Sequence, residues 1–324
     1  MKALMVQEPT GLDGLTLSDV PVPDPGPGQV RVKVAACGIN FADTLMIKGA
    51  YQVKPEPPFS PGIEIAGTVD ATGEGVGHLS QGQKVAGVLP YGGLAEYAVM
   101  DAVLALPLPD DMDLAEAAAF PVAYGTSHVG LDHRAQLKPD ETLVVHGAGG
   151  GVGLTAVEIG KLMGAKVIAT AGSAEKLEAA RAKGADHLIN YSEEDIRERI
   201  KALTEGRGAD VIYDPVGGSA FEASLRAIAF EGRILVIGFA SGTIPQVPAN
   251  ILLVKNISVV GLYWGSYSAK KPSVLVGSLQ TLFGWYREGR IKPHISNRLT
   301  LDQAHEAIAL LAERRSTGKV VVTC

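Results

Sequence analysis

The sequence predicts a two-domain α/β protein, in which a β-rich domain accompanies a doubly wound, parallel nucleotide-binding sheet. Three observations predict it. The chain has 324 residues, more than one hydrophobic core usually serves. Its first third alternates apolar and charged residues with the period of a strand, as in QVRVKV from Gln29 and GIEIAGTV from Gly62, between turns rich in proline and glycine. From about Glu141, short apolar runs alternate with helical stretches, the pattern of βαβ units joined by right-handed crossovers.

The elements follow in order. PVPDPGPG and PEPPFSPG mark long connections in the first third, which reads as all β. Next come the strand TLVVH, the helix VGLTAVEIGKLMG, the strand KVIAT, the helix EKLEAARAKG and the strand HLIN. The helix SEEDIRERIKAL, the strand DVIYD, a helix around Ala220 to Ala229 and the strand in GRILVIG complete the alternation. Beyond about Val260 the texture is mixed until the helix LDQAHEAIALLAERR and the strand KVVV. In that helix Ala304, Ile308 and Leu311 share one face, and Arg314 and Arg315 suit its C-terminus.

A hydrophobic share of 46% and a charged share of 20% describe an ordinary globular protein. The net charge of -6, with no block of consecutive Lys or Arg, leaves no electrostatic footprint for nucleic acid or an anionic membrane. A small molecule is the expected partner. The N-terminus lacks a signal-peptide pattern and no apolar run approaches a membrane span, so a cytoplasmic location is expected. The two cysteines, Cys37 and Cys324, are too few for a disulfide framework or a cysteine-built metal site.

The chemistry starts at LVVHGAGGGVGLTAVEIGKLMGAKVIAT, which gives strand, glycine turn, helix and second strand in the order a dinucleotide site requires. Ala148, Gly150 and Gly153 occupy the three fingerprint positions, so alanine replaces the first glycine. Within Ala148, Gly149, Gly150, Gly151, Val152 and Gly153, the glycines let backbone approach a pyrophosphate. The helix N-terminus adds N–H donors and a favourable dipole. An NAD site would place an acid at the end of the second strand to bind the ribose hydroxyls. Here Ser173 and Lys176 follow instead, a hydroxyl and a cation suited to a 2′-phosphate, so NADPH is the expected cofactor. As helix residues alone, Ser173 would be an N-cap and Lys176 a solvated first-turn side chain. The seven histidines show no metal-ligand spacing, and His146, before the turn, reads as structural.

The segments AACGINFADTLMIKGAY, PFSPGIEIAGTV, GGLAEYAV, FPVAYGTSH, HGAGGGVG, GSAEKLEAARAKGADHLINY and TGKVVV resemble the medium-chain dehydrogenase/reductase superfamily, and within it the zinc-free, zeta-crystallin-like NADPH:quinone oxidoreductase branch. The resemblance runs end to end. It implies a GroES-like catalytic domain over 1–121, a Rossmann NADPH-binding domain over 122–260 and a return segment over 261–324. It also implies a cleft for the nicotinamide, and a homodimer through Rossmann edge strands around Ile251 to Leu262. Zinc enzymes of the superfamily carry a histidine in a G-H-E segment; this chain keeps Cys37 but has Ile63 in Gly62-Ile63-Glu64, and isoleucine cannot be a ligand. No metal is therefore expected, and Cys37 reads as a small buried residue.

Without a Lewis acid the acceptor must already be activated, which suits a quinone, an enone or an enoyl thioester; the resemblance favours the quinone, with an enone or enoyl thioester as the alternative. A non-catalytic, NADPH-binding crystallin-like protein is the alternative of another class. The resemblance places Asn40 near the nicotinamide, where its amide would donate to a cofactor hydroxyl or a substrate oxygen, and Thr126 beside the ring. Tyr51 aligns with a proton-donating or substrate-positioning tyrosine. Leu45 stands where some quinone reductases have tyrosine. Tyr191 is expected beside the adenine ribose phosphate, Gly238 and Phe239 beside the nicotinamide half, Lys319 reaching the cofactor and Asp43 beneath it.

Overall fold

The computed structural model describes residues 1–109 and 111–324 and divides the chain into two compact units. The first contains Met1–Val122 and Lys292–Cys324, the second Ala123–Ile291.

The second unit is the doubly wound sheet. Its strands are β1 (Thr142–Val145), β2 (Lys166–Ala171), β3 (His187–Asn190), β4 (Ala209–Asp214), β5 (Ile228–Val236) and β6 (Ser258–Gly261). All pair in parallel, in the order β3-β2-β1-β4-β5-β6. That order reverses direction beside β1, and ligands of such sheets bind at the strand C-termini where the order reverses. Helices α1 (Gly151–Leu162), α2 (Ala174–Ala182), α3 (Ile196–Leu203) and α4 (Gly218–Ala227) make the crossovers. All four residues of β1 are buried, as parallel strands covered on both faces require. Val144, Ile168, Ile189, Ile212, Phe221 and Ile234 lie in the core between sheet and helices.

The first unit holds a seven-stranded sheet in which Gln29–Ile39 is central, flanked by Glu64–Thr72 on one side and Lys319–Thr323 on the other, both antiparallel to it. Ile295–Thr300 lies outside Lys319–Thr323, in parallel. The first and last parts of the chain therefore build one sheet.

Four expectations change. The first third is not all β: Phe41–Met46 and Leu114–Ala118 are short helices, the second capped by Asp113 accepting from the Glu116 N–H. The return begins at Lys292 rather than at 261. Residues 261–291 stay in the second unit because they include the helix Pro272–Arg287, which buries Leu275, Leu279, Leu282 and Phe283 on one face. The edge strand is only Ser258–Gly261; Ala249–Lys255 before it is helical and ends in a left-handed Asn256. In Ala304–Ala312 the buried stripe includes Ala304, Ala307, Ile308 and Leu310, with Leu311 half-buried, and Arg314 and Arg315 lie beyond the helix end. Among the described residues, no helix is long and apolar enough to cross a membrane.

Two glycines give a paired prediction. A Cβ on Gly153 would lie 2.2 Å from the Gly147 carbonyl oxygen, whereas one on Gly277, in the helix Pro272–Arg287, would meet nothing within 4 Å. Gly277→Ala is expected to stabilise the protein by up to about 1 kcal/mol, and Gly153→Ala to destabilise it by at least as much. Denaturant unfolding of the two variants beside the wild type checks both signs.

Candidate functional site

The glycine turn follows from where side chains would not fit. After β1, Gly147 takes φ 56°, so it makes the tight left-handed turn that the alanine at position 148 cannot. Ala148 is buried, with its N–H donating to the Thr170 carbonyl at 2.9 Å. Gly153 lets α1 pack directly on the Gly147 carbonyl, and Gly150 caps the helix with no atom nearer than 3.4 Å to where a Cβ would stand. The result is an open cradle of backbone at a helix N-terminus, which fits a pyrophosphate.

His146 anchors the turn from below. Its Nε2 lies 2.8 Å from Ser224 Oγ, and that hydroxyl donates its own proton to the Ala220 carbonyl at 2.8 Å. The imidazole must therefore donate from Nε2, leaving Nδ1 to accept from Thr170 Oγ1 at 2.9 Å. Burial lowers its pKa against the raising effect of Asp214, which keeps the ring neutral as this tautomer requires. Asp214 in turn accepts from the N–H groups of Val216 and Gly217, fixing the turn after β4.

The residues at the ends of β2 and β3 converge on the same turn. Ser173 caps α2, accepting from the Lys176 N–H at 3.4 Å. Capping uses a lone pair of the hydroxyl and leaves its proton to donate, so N-cap and phosphate ligand are compatible roles. The Lys176 stem lies against Gly149, where a Cβ would come within 2.5 Å of Lys176 Cβ. Tyr191 covers Gly172 in the same way, with ring atoms 2.8 to 3.0 Å from a Cβ built there. Gly149, Ser173, Lys176 and Tyr191 thus belong to one constellation at the carboxyl ends of neighbouring strands. Gly238 follows β5, and Phe239 lies against Gly217 in the turn after β4. Thr126 is buried on the helix Pro121–His128.

A second polar cluster lies inside the first unit. Register creates it: Val320 pairs with Ile39 and Cys37 with Ile65, so continuing each ladder by one residue brings Lys319 to Asn40 and Glu64 to Gly38. Gly38 is required there, because a Cβ would stand 2.6 Å from Glu64 Oε1 and 2.2 Å from the Ala118 carbonyl. Glu64 and Lys319 form a buried ion pair at 2.7 Å, with side chains 0% and 6% exposed. Lys319 also donates to the Ile39 carbonyl at 2.7 Å and to Asn40 Oδ1 at 2.8 Å. Asn40 Nδ2 donates to Glu64 Oε1 at 2.8 Å and to the Gly38 carbonyl at 3.2 Å, and Glu64 Oε2 accepts the Val122 N–H.

Two side chains that the sequence places at the cofactor have their protons engaged in this cluster. The three ammonium protons of Lys319 go to partners within the first unit. Both amide protons of Asn40 are engaged as well. Glu64 was missed by the sequence reading, although a carboxylate amid the apolar residues of GIEIAG and an ammonium at the head of KVVV were its signal.

Asp43 is fully buried and accepts from the Asn40 N–H at 2.7 Å and the Gly62 N–H at 3.0 Å. It lies in the first turn of the helix Phe41–Met46 and caps that helix through the Asn40 N–H. Cys37 is fully buried, and burial pushes its thiol well up, so it is an inert core residue. Tyr51 is half-buried beyond the helix Phe41–Met46, and Leu45 is half-buried within it. Among the described residues, no three His, Cys, Asp or Glu side chains are grouped to hold a metal.

Burial pushes the Asp43 carboxyl up from 3.8 to about 6, against the two backbone donors and Lys319, which pull it down. Between about pH 4 and 6 the folded state then holds a proton that the unfolded chain releases. The contribution of Asp43 to stability therefore falls as pH rises through this window, by about 3 kcal/mol in all, and is level above it. Unfolding free energies measured from pH 4 to 7 are expected to show a downward component that Asp43→Asn lacks.

Known proteins share this fold. Residues 26–110 match the family described as alcohol dehydrogenase GroES-like domain, and residues 151–277 the family described as zinc-binding dehydrogenase. A quinone oxidoreductase-like protein 2 homolog of Nematostella vectensis is 46% identical over 90% of this chain and 81% of its own length. The quinone oxidoreductase-like protein 2 of Bos taurus is 42% identical over 95% and 89%. The crystal structure of Escherichia coli quinone oxidoreductase complexed with NADPH superposes with a TM-score of 0.93 at 31% identity, covering 100% of both chains.

Proposed function

The chain belongs to the zinc-free quinone oxidoreductase branch of the medium-chain dehydrogenase/reductase superfamily, and on that premise we propose that it is an NADPH-dependent reductase of activated acceptors, quinones first among them. One observation carries the cofactor reading: the Lys176 stem rests on Gly149, so a cation and the Ser173 hydroxyl flank the glycine turn where an NAD site would hold an acid. The turn from Ala148 to Gly153, with Ser173, Lys176 and Tyr191, would hold the phosphate-bearing half. Thr126, Gly238 and Phe239 would hold the nicotinamide half. When bound, the nicotinamide supplies a hydride. The protein's part is to orient the acceptor beside it, and Tyr51 is the group proposed to deliver the accompanying proton. With isoleucine at position 63, the acceptor has to be electron-poor in itself.

The same reading includes a cytoplasmic homodimer. The strand β6 ends the sheet, and Leu253, Val254 and Phe230 leave large apolar side chains exposed in the helix and strand that precede it. Sedimentation is expected to give twice the chain mass, and Val259→Lys on β6 to lower it; a wild-type monomer would remove this part of the proposal.

The test of function is NADPH oxidation with a quinone, an enone and an enoyl-CoA offered in parallel, the quinone being expected to give the highest kcat/KM. A faster enone or enoyl-CoA would instead make the protein a reductase of conjugated double bonds, and NADPH binding without turnover would leave the crystallin-like alternative. Lys176→Ala is expected to raise KM for NADPH by about tenfold with little effect on NADH, as loss of a charge-assisted hydrogen bond implies. Equal effects on both cofactors would contradict the assignment.

A further inference from the structure

Within the second unit, α1 and α2 lie side by side on one face of the sheet, because they make successive right-handed crossovers from β1 to β2 and from β2 to β3. Two glycines let them approach closely. Before α1, Gly149 lies against Lys176 in the first turn of α2, where a Cβ on the glycine would stand 2.5 Å from Lys176 Cβ. At the other end the roles are exchanged: Gly184 follows α2 and lies against the stem of Lys161 in the last turn of α1, 2.9 Å separating a Cβ built there from Lys161 Cγ. One turn before Lys161, Glu158 Oε1 accepts from Lys183 at 2.7 Å, with side chains 12% and 13% exposed. The other oxygen of Glu158 accepts from the Tyr124 hydroxyl at 2.5 Å.

These contacts do different work. The glycines set how near the helices come, but each atom pair there adds little attraction and none holds α2 at a particular rotation about its own axis. The Glu158–Lys183 pair is directional, and so little of it is exposed that salt and water screen it weakly. Lys183 lies seven residues beyond Lys176, about two turns, so the two share one side of α2. Fixing the direction of Lys183 therefore fixes that of Lys176.

The geometry points to Glu158 and Lys183 as positioning residues that set the preference for a 2′-phosphorylated nucleotide, by holding α2 at the rotation that presents the Lys176 cation beside the glycine turn. Tyr124 steadies the same carboxylate from the opposite side. The inference rests on the reading that Lys176 takes the 2′-phosphate, and it adds which residues make its placement selective. NADH carries a hydroxyl where NADPH carries the phosphate, so its affinity depends much less on where that cation stands.

The test is the ratio of the dissociation constants for NADH and NADPH, read by the fluorescence of the reduced nicotinamide, with a thermal midpoint for each protein. Glu158→Gln/Lys183→Met removes both charges together and is expected to lower the ratio about threefold or more while the Kd for NADH stays within about twofold. Lys183→Arg keeps an ion pair and should keep the wild-type ratio. Added to Lys176→Ala, the double substitution should lower the ratio no further, because both act through one cation. Should Glu158→Gln/Lys183→Met fail to fold, Tyr124→Phe takes its place: a ratio lowered about twofold supports the inference and an unchanged one overturns it. A folded double variant with the wild-type ratio, with NADPH and NADH weakened in equal proportion, or with a loss that multiplies that of Lys176→Ala also overturns it, and leaves Lys176 at the phosphate. If Lys176→Ala itself keeps the wild-type ratio, the underlying reading of Lys176 fails and the inference goes with it.

Discussion

The first unit depends on the buried ion pair between Glu64 and Lys319. Its members are 255 residues apart, and together with Asn40 they tie the end of the central strand, its neighbour in the sheet and the returning C-terminal strand into one polar knot. A buried pair adds little net stability over an apolar replacement of the same shape, but removing one member strands a charge at a cost of about 3 to 5 kcal/mol. The pair therefore enforces register. Slipping the last strand by one residue would move Lys319 away from Glu64 and turn Val320 into the cluster.

The second unit obeys a different constraint, the close approach of backbone to backbone. Gly147 bends, Gly153 admits the helix and Gly149 admits the lysine stem, so three glycines serve three separate contacts. His146 supports the turn because Ser224 fixes its tautomer, and Asp214 closes the neighbouring turn by accepting two N–H groups. What looks in the sequence like a single motif is a set of spatial exclusions, each with its own neighbour.

Much of the second unit was legible, because each strand and helix there carries its own period. The glycine turn could be placed from local context, and Ser173 and Lys176 from their distance beyond it. Pairing across the chain was not legible: nothing local to Glu64 announces Lys319, and a single sequence offers no means of matching them. The same limit hides the partners of Asn40, whose chemistry depends on what its neighbours have already consumed. Residues 261–291 were misplaced for another reason. The Leu275, Leu279, Leu282 and Phe283 stripe has helical spacing, but glycine and serine between its members dilute it and hide a sixteen-residue helix. Along Ile251–Leu262 the resemblance implied an edge strand, and the first part of that stretch is helical.

The central claim is that the glycine turn, Ser173 and Lys176 form one site for a nucleotide bearing a 2′-phosphate. Its most direct measurement is the pair of dissociation constants of the wild-type protein for NADPH and NADH, taken by fluorescence titration at one ionic strength. NADPH is expected to bind tighter by about tenfold or more, with the advantage shrinking as salt screens the charge on Lys176. Equal affinity for the two, or a preference for NADH, would contradict it.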